Sequence, residues 1–418
     1  MSAVIQKSNP MVGRDPYSIP LEEFDVAQAD LFESNSFWPF FERLRDEAPV
    51  HYCKSSEHGP YWSVTKYKDI MTVEGDADTY SSAQGISLLT RAVDNLKTSS
   101  FIRMDEPDHG MQRKTVQGVV APTNLALLEP LIRSRVGDIL DSLPIGETFN
   151  WVERVSIELT TQMLATLFDF PFEERHKLTF WSDVATSTPG PEGLVGSDEE
   201  REAVMLECLA AFTEIWNERV NEPPKNDLIS MLAHGEATRN MKPMEFLGNL
   251  ILLIIGGNDT TRNSLSGGVL ALNQNPKEYQ KLRDNPELIP KLVPEIIRWQ
   301  TPLTHMMRVA TKDTELAGQK ISKGDKVVMW YVSGNRDEDM ITRANEFIID
   351  RDKPRQHLSF GFGIHRCMGN RLAEMQIRIA WEEIQSRFSM VEVVGEPVRN
   401  HSTFIKGFAE LPVKLRRR

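Results

Sequence analysis

A single cysteine in a glycine-rich turn, followed directly by a helical pattern, constrains this chain more than any other feature. Cys367 lies in residues 360–369, which contain three glycines. Apolar residues then recur at steps of four, three and four, which places them on one face of an α-helix: Ala373, Ile377, Ala380 and Ile384. Unpaired N–H groups and the helix dipole favour an anion at a helix start. The pattern predicts that Cys367 caps this helix as a thiolate suited to a metal.

The neighbours of Cys367 fit the same interpretation. Gly361 and Gly363 can adopt backbone angles closed to other residues and turn the chain tightly, and Gly369 lets a flat ring approach the backbone. Phe360 is placed to cover the sulfur. The alternative is a buried structural cysteine, which is the commoner fate of a lone cysteine. The ten-residue pattern favours the ligand.

The pattern Phe-x-x-Gly-x-x-x-Cys-x-Gly resembles the haem-binding loop of the cytochrome P-450 family. The resemblance implies a mainly α fold with a minor β region, in which haem lies between a long oxygen-side helix and the cysteine-loop helix. It implies haem b (iron protoporphyrin IX) as the cofactor and Cys367 as the iron ligand. Phe360 and Gly369 would border the cofactor. Three further motifs occur in the same order as in the family, so the likeness extends from about Asp105 to Phe404.

A long apolar helical pattern runs over residues 243–273 and contains adjacent glycines at Gly256 and Gly257. Each glycine costs a helix about 1 kcal/mol relative to alanine, so we expect a local widening of the helix there. The segment resembles the family's Gly-Gly-x-Asp-Thr motif, which implies that Thr260 supports oxygen activation and Asp259 supplies protons. The alternative is a kinked core helix with a capping threonine.

A third motif concerns the scaffold. Glu295 and Arg298 are three residues apart, so on a helix they share a face and can pair. They match the family's Glu-x-x-Arg signature, which implies that Arg351 joins them and that the three hold the thiolate loop in place.

Haem carries two propionates, which need cationic or N–H partners when buried. His109 and Arg113 are one helical turn apart and resemble the family's His-x-x-x-Arg pair. Arg308 and His365 match the other family positions for this role. Each of the four, taken alone, is more typical of a surface side chain, and it is their shared role in the family that favours the propionates.

The residues that make up the motifs at 256–264 and 357–371 are most similar to those of the bacterial alkane and fatty-acid terminal hydroxylase subgroup. This implies a monooxygenase that inserts one oxygen atom of O2 at the ω-carbon of medium-chain alkanes or fatty acids. A terpene or another compact hydrophobic molecule is the alternative substrate. A haem-thiolate sensor or carrier is the alternative class, although a passive binder needs no proton relay. Family position places these residues at the substrate: Ile86, Leu88, Leu89, Leu252, Gly256, Leu303, Thr304, Met306 and Phe404.

Composition restricts the partners and the compartment. The formal net charge of -12 argues against nucleic acid as the main partner. No 18-residue apolar stretch occurs, residues 1–20 show neither a signal pattern nor an anchor, and the three cysteines lack CxxC spacing. We expect a cytoplasmic protein without a membrane anchor, and a monomer.

Turnover needs two electrons, and nothing in the sequence resembles a flavin or nicotinamide fold. The resemblance implies an iron-sulfur ferredoxin with its NAD(P)H-dependent reductase. A basic patch near the cysteine would suit such an acidic partner, although a solvated helix face is an equal alternative. Its members would be Arg366, Arg371, Arg378 and Arg387.

The chain is expected to form one domain over residues 1–418, with a β-rich portion at about 45–100 and 300–335 and helices elsewhere. Weak alternation predicts strands at 50–52, 61–64 and 326–330, and helical spacing predicts a helix at 37–47. Two polar, aperiodic stretches, 81–103 and 186–198, are typical of loops that gate a site.

Overall fold

A computed structural model describes residues 10–88, 96–187, 189–190 and 193–417. Helices dominate, as the sequence predicted. The described α-helices are Ala29–Glu33, Trp38–Glu47, Tyr67–Gly75, Asp108–Val116, Pro122–Asp141, Glu158–Phe168, His176–Thr186, Asp198–Arg219, Leu228–His234, Pro243–Gln274, Pro276–Asp284, Ile289–Gln300, Tyr331–Gly334 and Asn370–Arg387.

One five-stranded sheet joins two distant stretches of the chain. Its strands lie in the order Val50–Cys53, Tyr61–Val64, Lys326–Trp330, His305–Ala310 and Tyr80–Ser81. The second and third strands pair in parallel, and the other neighbours are antiparallel. The three predicted strands are therefore confirmed, with one residue added to the first.

Strands also occur outside the two stretches that were predicted to be β-rich. A three-stranded sheet contains Thr148–Asn150, Pro412–Arg417 and Phe388–Val393 in that order. A smaller pair joins Val398–Arg399 with Phe408–Glu410, and another, Thr314–Leu316 with Gln319–Ile321, lies inside the predicted stretch 300–335. Strands of two or three residues carry too few alternating residues to be recognised from the sequence. Phe388–Val393 and Pro412–Arg417 are six residues long and were not predicted.

The helix Pro243–Gln274, here called the central helix, packs against six other described α-helices. They are Glu158–Phe168, His176–Thr186, Asp198–Arg219, Pro276–Asp284, Ile289–Gln300 and Asn370–Arg387. Its bounds match the predicted 243–273. It is apolar on most sides because it runs through the middle of the largest hydrophobic core of the described chain.

The predicted widening of the central helix is wrong. The helix continues unbroken through residues 256–261. A π-helical turn lies instead at Val152–Ile157, which packs against the central helix. The surroundings of each glycine differ: a Cβ on Gly256 would meet nothing within 4 Å, whereas one on Gly257 would lie 2.7 Å from Leu164 Cδ2. Gly256 therefore borders open space and Gly257 allows close packing of Leu164, and neither requires a distorted helix.

No helix in the described ranges is long and apolar enough to cross a membrane. The predicted helix at 37–47 is confirmed as Trp38–Glu47. The two stretches expected to be loops are only partly described. The ends of the first contain the strand residue Ser81 and the 3-10 helix Phe101–Arg103.

Close packing along the central helix gives a first prediction. A Cβ on Gly248 would lie 2.0 Å from Ser99 O, a backbone atom that cannot move aside as a side chain can. We expect Gly248→Ala to lower the free energy of unfolding by about 1–3 kcal/mol or more, as overpacking does. Urea unfolding of the protein prepared without any cofactor, followed by circular dichroism, measures this change, so that the cavity beside the central helix is empty in both variants.

Gly256→Ala is the matched control on the same helix, because its methyl group has free space. Greater helix propensity should raise its stability by up to about 1 kcal/mol. Equal stabilities of the two variants would contradict the packing of Gly248 against Ser99.

Candidate active site

One cavity brings together residues from many separate parts of the sequence. The central helix lines one part of it, and the segment around Cys367 lines another. Of the predicted site residues, these line the cavity: Ile86, His109, Arg113, Leu252, Gly256, Thr260, Leu303, Met306, Arg308, Phe360, His365, Cys367, Gly369 and Phe404.

Cys367 is held by a turn built as the glycines predicted. Gly361 and Gly363 have positive φ angles of 65° and 68°. The Cys367 N–H donates to Phe360 O at 2.8 Å, which closes the turn. The prediction that Cys367 caps the following helix is wrong, because the helix begins at Asn370 and its N-cap residue is Gly369. Met368 and Gly369 form a turn between the cysteine and the helix.

The helix start still acts on the sulfur. Backbone N–H groups of Gly369 and Asn370, together with the cations Arg113 and Arg366, favour the thiolate. Burial has the larger effect and raises the pKa of the Cys367 thiol. Its solvent-accessible surface opens onto two cavities. The surrounding protein groups therefore do not offset the cost of burying the Cys367 thiolate. A coordinated metal ion would provide the missing positive charge.

Two of the predicted propionate partners present groups suited to an anion. Arg308 is only 3% exposed, and its guanidinium donates to Met307 O at 2.8 Å. His365 has its Nε2 2.8 Å from Ser82 Oγ, whereas its buried Nδ1 has no hydrogen-bond partner in the described chain. Burial, with Arg308 nearby, lowers the pKa of His365 to about 2, so the ring is neutral.

The other two predicted partners contact backbone carbonyls. His109 places its ring nitrogens 2.8 Å from Phe101 O and 3.1 Å from Ile364 O. Arg113 donates through Nη2 to Arg366 O. Both residues border the cavity and both contact the segment around Cys367. Their assignment to the propionates stays a prediction.

Glu74 is a site residue that the motifs did not reveal. It is buried, lines the cavity, and accepts hydrogen bonds from the Tyr331 hydroxyl and the Phe362 N–H. Burial raises its pKa to about 7, although Arg308, 3.8 Å away, opposes this. Glu74 lies in the last turn of the helix Tyr67–Gly75, and no motif in the sequence marks it as a site residue. The structure shows that Gly363 packs against it, because a Cβ on Gly363 would lie 2.1 Å from Glu74 O.

On the oxygen side, only one of the two predicted catalytic residues reaches the cavity. Thr260 lines it, and its hydroxyl lies 3.3 Å from Gly256 O. Asp259 is fully buried away from it and accepts hydrogen bonds from Ser182 Oγ at 3.1 Å and Arg262 Nη2 at 2.8 Å. Arg262 also binds Asp183 at 2.9 Å, whose side chain is 31% exposed. This ion-pair chain connects Asp259 to the surface.

The three scaffold residues meet as predicted. Glu295 and Arg298 are fully buried and joined by two hydrogen bonds of 2.7 and 2.8 Å, and Arg351 Nε lies 3.1 Å from Glu295. Arg298 also donates to Asn335 O at 2.9 Å. The Asn335 side chain in turn binds Ser359, at 2.9 Å. The cluster is therefore linked to the residue before Phe360 and the cysteine turn.

Three predicted substrate residues need separate comment. Leu88 lies in the core beneath the N-terminal segment and does not line the cavity. Thr304 is also buried outside the cavity, because its hydroxyl donates to Thr403 O. Leu89 lies outside the described residues. Lining residues that the sequence did not identify include Ile102, Val119, Leu167, Leu228 and Ile405.

The predicted basic patch is smaller than expected. Arg378 binds Glu129 and Glu382, and Arg387 binds Asp141 and Glu383, so these four ion pairs neutralise half of it. Arg366 and Arg371 are exposed and pair with no carboxylate in the described ranges. With Arg113 they line a second, shallow cavity on which Cys367 also opens.

The residues of the cavity fit haem. Gly256 and Gly369 both line it, and a Cβ on either would meet nothing within 4 Å, which leaves room for a flat ring. The Cys367 sulfur, a soft ligand, suits iron. Arg308, Arg113 and the free Nδ1 of His365 provide positive charge and a possible N–H donor for propionates.

These contacts predict the effect of removing the sulfur. We expect Cys367→Ala to lose the red-shifted carbon monoxide band of a thiolate-bound haem, because the described cavity offers no second thiol. The ferrous–CO absorption spectrum of the purified protein measures this. Cys208→Ala is the control, since Cys208 is buried in the main core away from the cavity and should keep the band. A band retained in Cys367→Ala would refute the assignment.

Comparison with known proteins identifies the family. The family model for cytochrome P450 matches residues 130–415. Linalool 8-monooxygenase of Pseudomonas putida is 34% identical over 94% of this chain and 99% of its own. The methyl-branched lipid omega-hydroxylase of Mycobacterium bovis is 30% identical over 96% of each chain.

The crystal structure of CYP153D17 from Sphingomonas sp. PAMC 26605 superposes with a TM-score of 0.89 at 47% identity, covering 95% of this chain and 100% of that one. This match supports the assignment to the terminal-hydroxylase subgroup that the motif residues predicted. Family membership also favours the enzyme over the sensor or carrier. The chain belongs to the cytochrome P450 family and is a haem b monooxygenase.

Proposed function

We propose that this P450 hydroxylates the terminal carbon of medium-chain alkanes or fatty acids. The observation that carries the proposal is the separation of charge in the cavity. The charged or titratable side chains that line it in the described chain are grouped with the proposed cofactor partners: Glu74, His109, Arg113, Arg308, Tyr331, His365 and Cys367. The wall formed by Ile86, Leu252, Leu303, Met306 and Phe404 is apolar, which suits a hydrocarbon chain.

Haem, when bound, supplies the activation of O2 by which one oxygen atom enters a C–H bond, with two electrons from a redox partner. The chain's own residues orient the substrate, exclude water and deliver protons. Thr260 Oγ1 can hold a proton at the cavity edge. Asp259, connected by Arg262 to the exposed carboxylate of Asp183, would resupply it when Arg262 releases one of its partners.

Attack at a terminal carbon requires a rigid wall, because secondary C–H bonds are weaker and react first unless they are kept away. Leu303 forms an isolated antiparallel bridge with Ile405, and Thr304 N donates to Phe404 O at 3.0 Å. These bonds tie two lining segments together. Thr304, although outside the cavity, therefore helps to fix Phe404.

A terpenoid alcohol is the second candidate substrate. The relative from Pseudomonas putida is named for linalool, and the same apolar wall would accept a branched hydrocarbon. The two candidates differ in shape, so binding and product analysis distinguish them.

The test of function is a substrate series with the purified enzyme, a ferredoxin and its reductase. Alkanes and fatty acids of increasing length are compared with linalool, and spin-state spectra report binding. We expect the tightest binding in the medium-chain series, with ω-alcohols as the main products by mass spectrometry. Mainly subterminal products, or preference for linalool, would overturn the terminal-hydroxylase proposal.

We further propose an iron-sulfur ferredoxin as the electron donor, docking at the shallow cavity beside Cys367. Arg113, Arg366 and Arg371 line this cavity together with polar and apolar residues, and none of its described lining residues is acidic. An acidic ferredoxin complements that charge, and the site lies beside the proposed iron ligand. Charge complementarity of this kind acts mainly on the association rate and weakens with salt.

We expect Arg371→Glu to slow reduction by ferredoxin about tenfold at low salt, with a smaller effect at high salt. Stopped-flow reduction under carbon monoxide measures the rate. Arg239→Glu makes the same charge change at another exposed arginine, outside the shallow cavity, and should leave the rate nearly unchanged. Equal rates for the two variants would place the docking surface elsewhere.

A further inference from the structure

A separate cavity, of about 90 Å³, collects positive charge away from the active site. Arg336, Arg399 and Lys406 line it, together with the indole rings of Trp38 and Trp299. None of the described residues that line it is acidic. Arg336 and Lys406 are buried, whereas Arg399 is half-buried and has Glu396 nearby. Two buried cations facing one small cavity that no carboxylate lines is an unusual arrangement, because buried charges normally have a partner.

Lys406 shows how little of this charge is compensated. The residue is 9% exposed, and its Nζ lies over the Trp38 ring, 5.2 Å from the centroid. Its backbone makes hydrogen bonds with Pro302 and Gln300, but its ammonium has no acceptor atom within the described chain. Burial, together with Arg336 and Arg399, lowers the pKa of Lys406 well below its usual value.

Arg336 is in a similar position. It is 5% exposed and stacks on Trp299, 3.5 Å from the ring centroid. Its buried Nε has no hydrogen-bond partner in the described ranges, and Nη1 has only a long contact of 3.4 Å with Ala344 O. The one carboxylate that acts on it, Glu295, is already bound by two other arginines. Arg336 therefore contributes charge to the cavity that no described side chain offsets.

We propose that this cavity is a binding site for a small tetrahedral oxyanion, phosphate or sulfate. Guanidinium and ammonium groups are the protein donors that bind such anions best. The side-chain amides of Asn35 and Gln274 also line the cavity and add neutral N–H donors. Its volume exceeds the roughly 10–15 Å³ that one water molecule requires, so an anion of several atoms has room.

The site has a structural consequence for the neighbouring hairpin. Lys406 directly follows Ile405, which lines the active-site cavity, and Arg399 and Phe408 are paired strand residues on either side of that turn. An anion held by Arg399, Lys406 and Arg336 joins the first strand and the turn of the hairpin to Arg336, two residues after the helix Tyr331–Gly334. The bound anion thus braces the turn that carries Phe404.

The test is the stability of the haem-loaded protein without substrate. Urea unfolding is followed at constant ionic strength while phosphate or sulfate replaces chloride. Ligand binding to the native state lowers the unfolding equilibrium constant by a factor of 1 + [L]/Kd, which is about elevenfold at ten times Kd. We expect a response that saturates with phosphate. Sulfate and phosphate also stabilise proteins by exclusion from the surface, which gives a response without saturation.

Lys406→Met separates the two effects. It should lose the saturating part and, in chloride alone, be at least as stable as the parent protein, because a repulsive buried charge is gone. Lys414→Met, at an exposed position outside the cavity, is the control and should keep the full response. If Lys406→Met does not fold, Arg399→Met serves in its place. A response that never saturates, or that is unchanged in the cavity variant, overturns the proposal and leaves a water-filled cavity.

Discussion

The position of the cysteine turn depends on one buried ionic cluster. Glu295 accepts hydrogen bonds from Arg298 and Arg351 in the buried interior, and Arg298 is linked through Asn335 to the residues before the turn. Removing one member of such a cluster costs about 3–5 kcal/mol, because the remaining charge stays buried. The sulfur must be placed within tenths of an ångström relative to a metal. A directional, fully buried network achieves this better than apolar packing.

The active-site cavity has a polar part suited to the haem propionates and an apolar part suited to a hydrocarbon substrate. Charged groups, including Glu74 with its raised pKa, gather where a cofactor carboxylate would lie, and apolar side chains surround the remaining space. In the proposed mechanism the groups that would carry protons lie outward from Thr260 through Asp259 to Asp183. Because Asp259 is bound by Arg262, this delivery would depend on how often that ion pair opens.

Positive charge is used differently in three places. In the Glu295 cluster it is paired with a buried carboxylate, beside Cys367 it is exposed, and at Lys406 it is buried without an acidic side chain lining the same cavity. An overall net charge of -12 hides this distribution. The first charge has its partner within the chain, and for the other two we propose an acidic protein and a small anion.

The sequence by itself determined the class of fold, the bounds of the central helix and the residues around the sulfur, because those features depend on local spacing and on motifs. It also predicted the pairing of Glu295, Arg298 and Arg351. Only the tertiary structure decided that Leu88 and Thr304 face away from the cavity, that the central helix stays regular, and that Asp259 lies behind it. It alone revealed Glu74 and the cluster around Lys406. These features join residues far apart in the chain, and no periodicity records which distant side chains share a space.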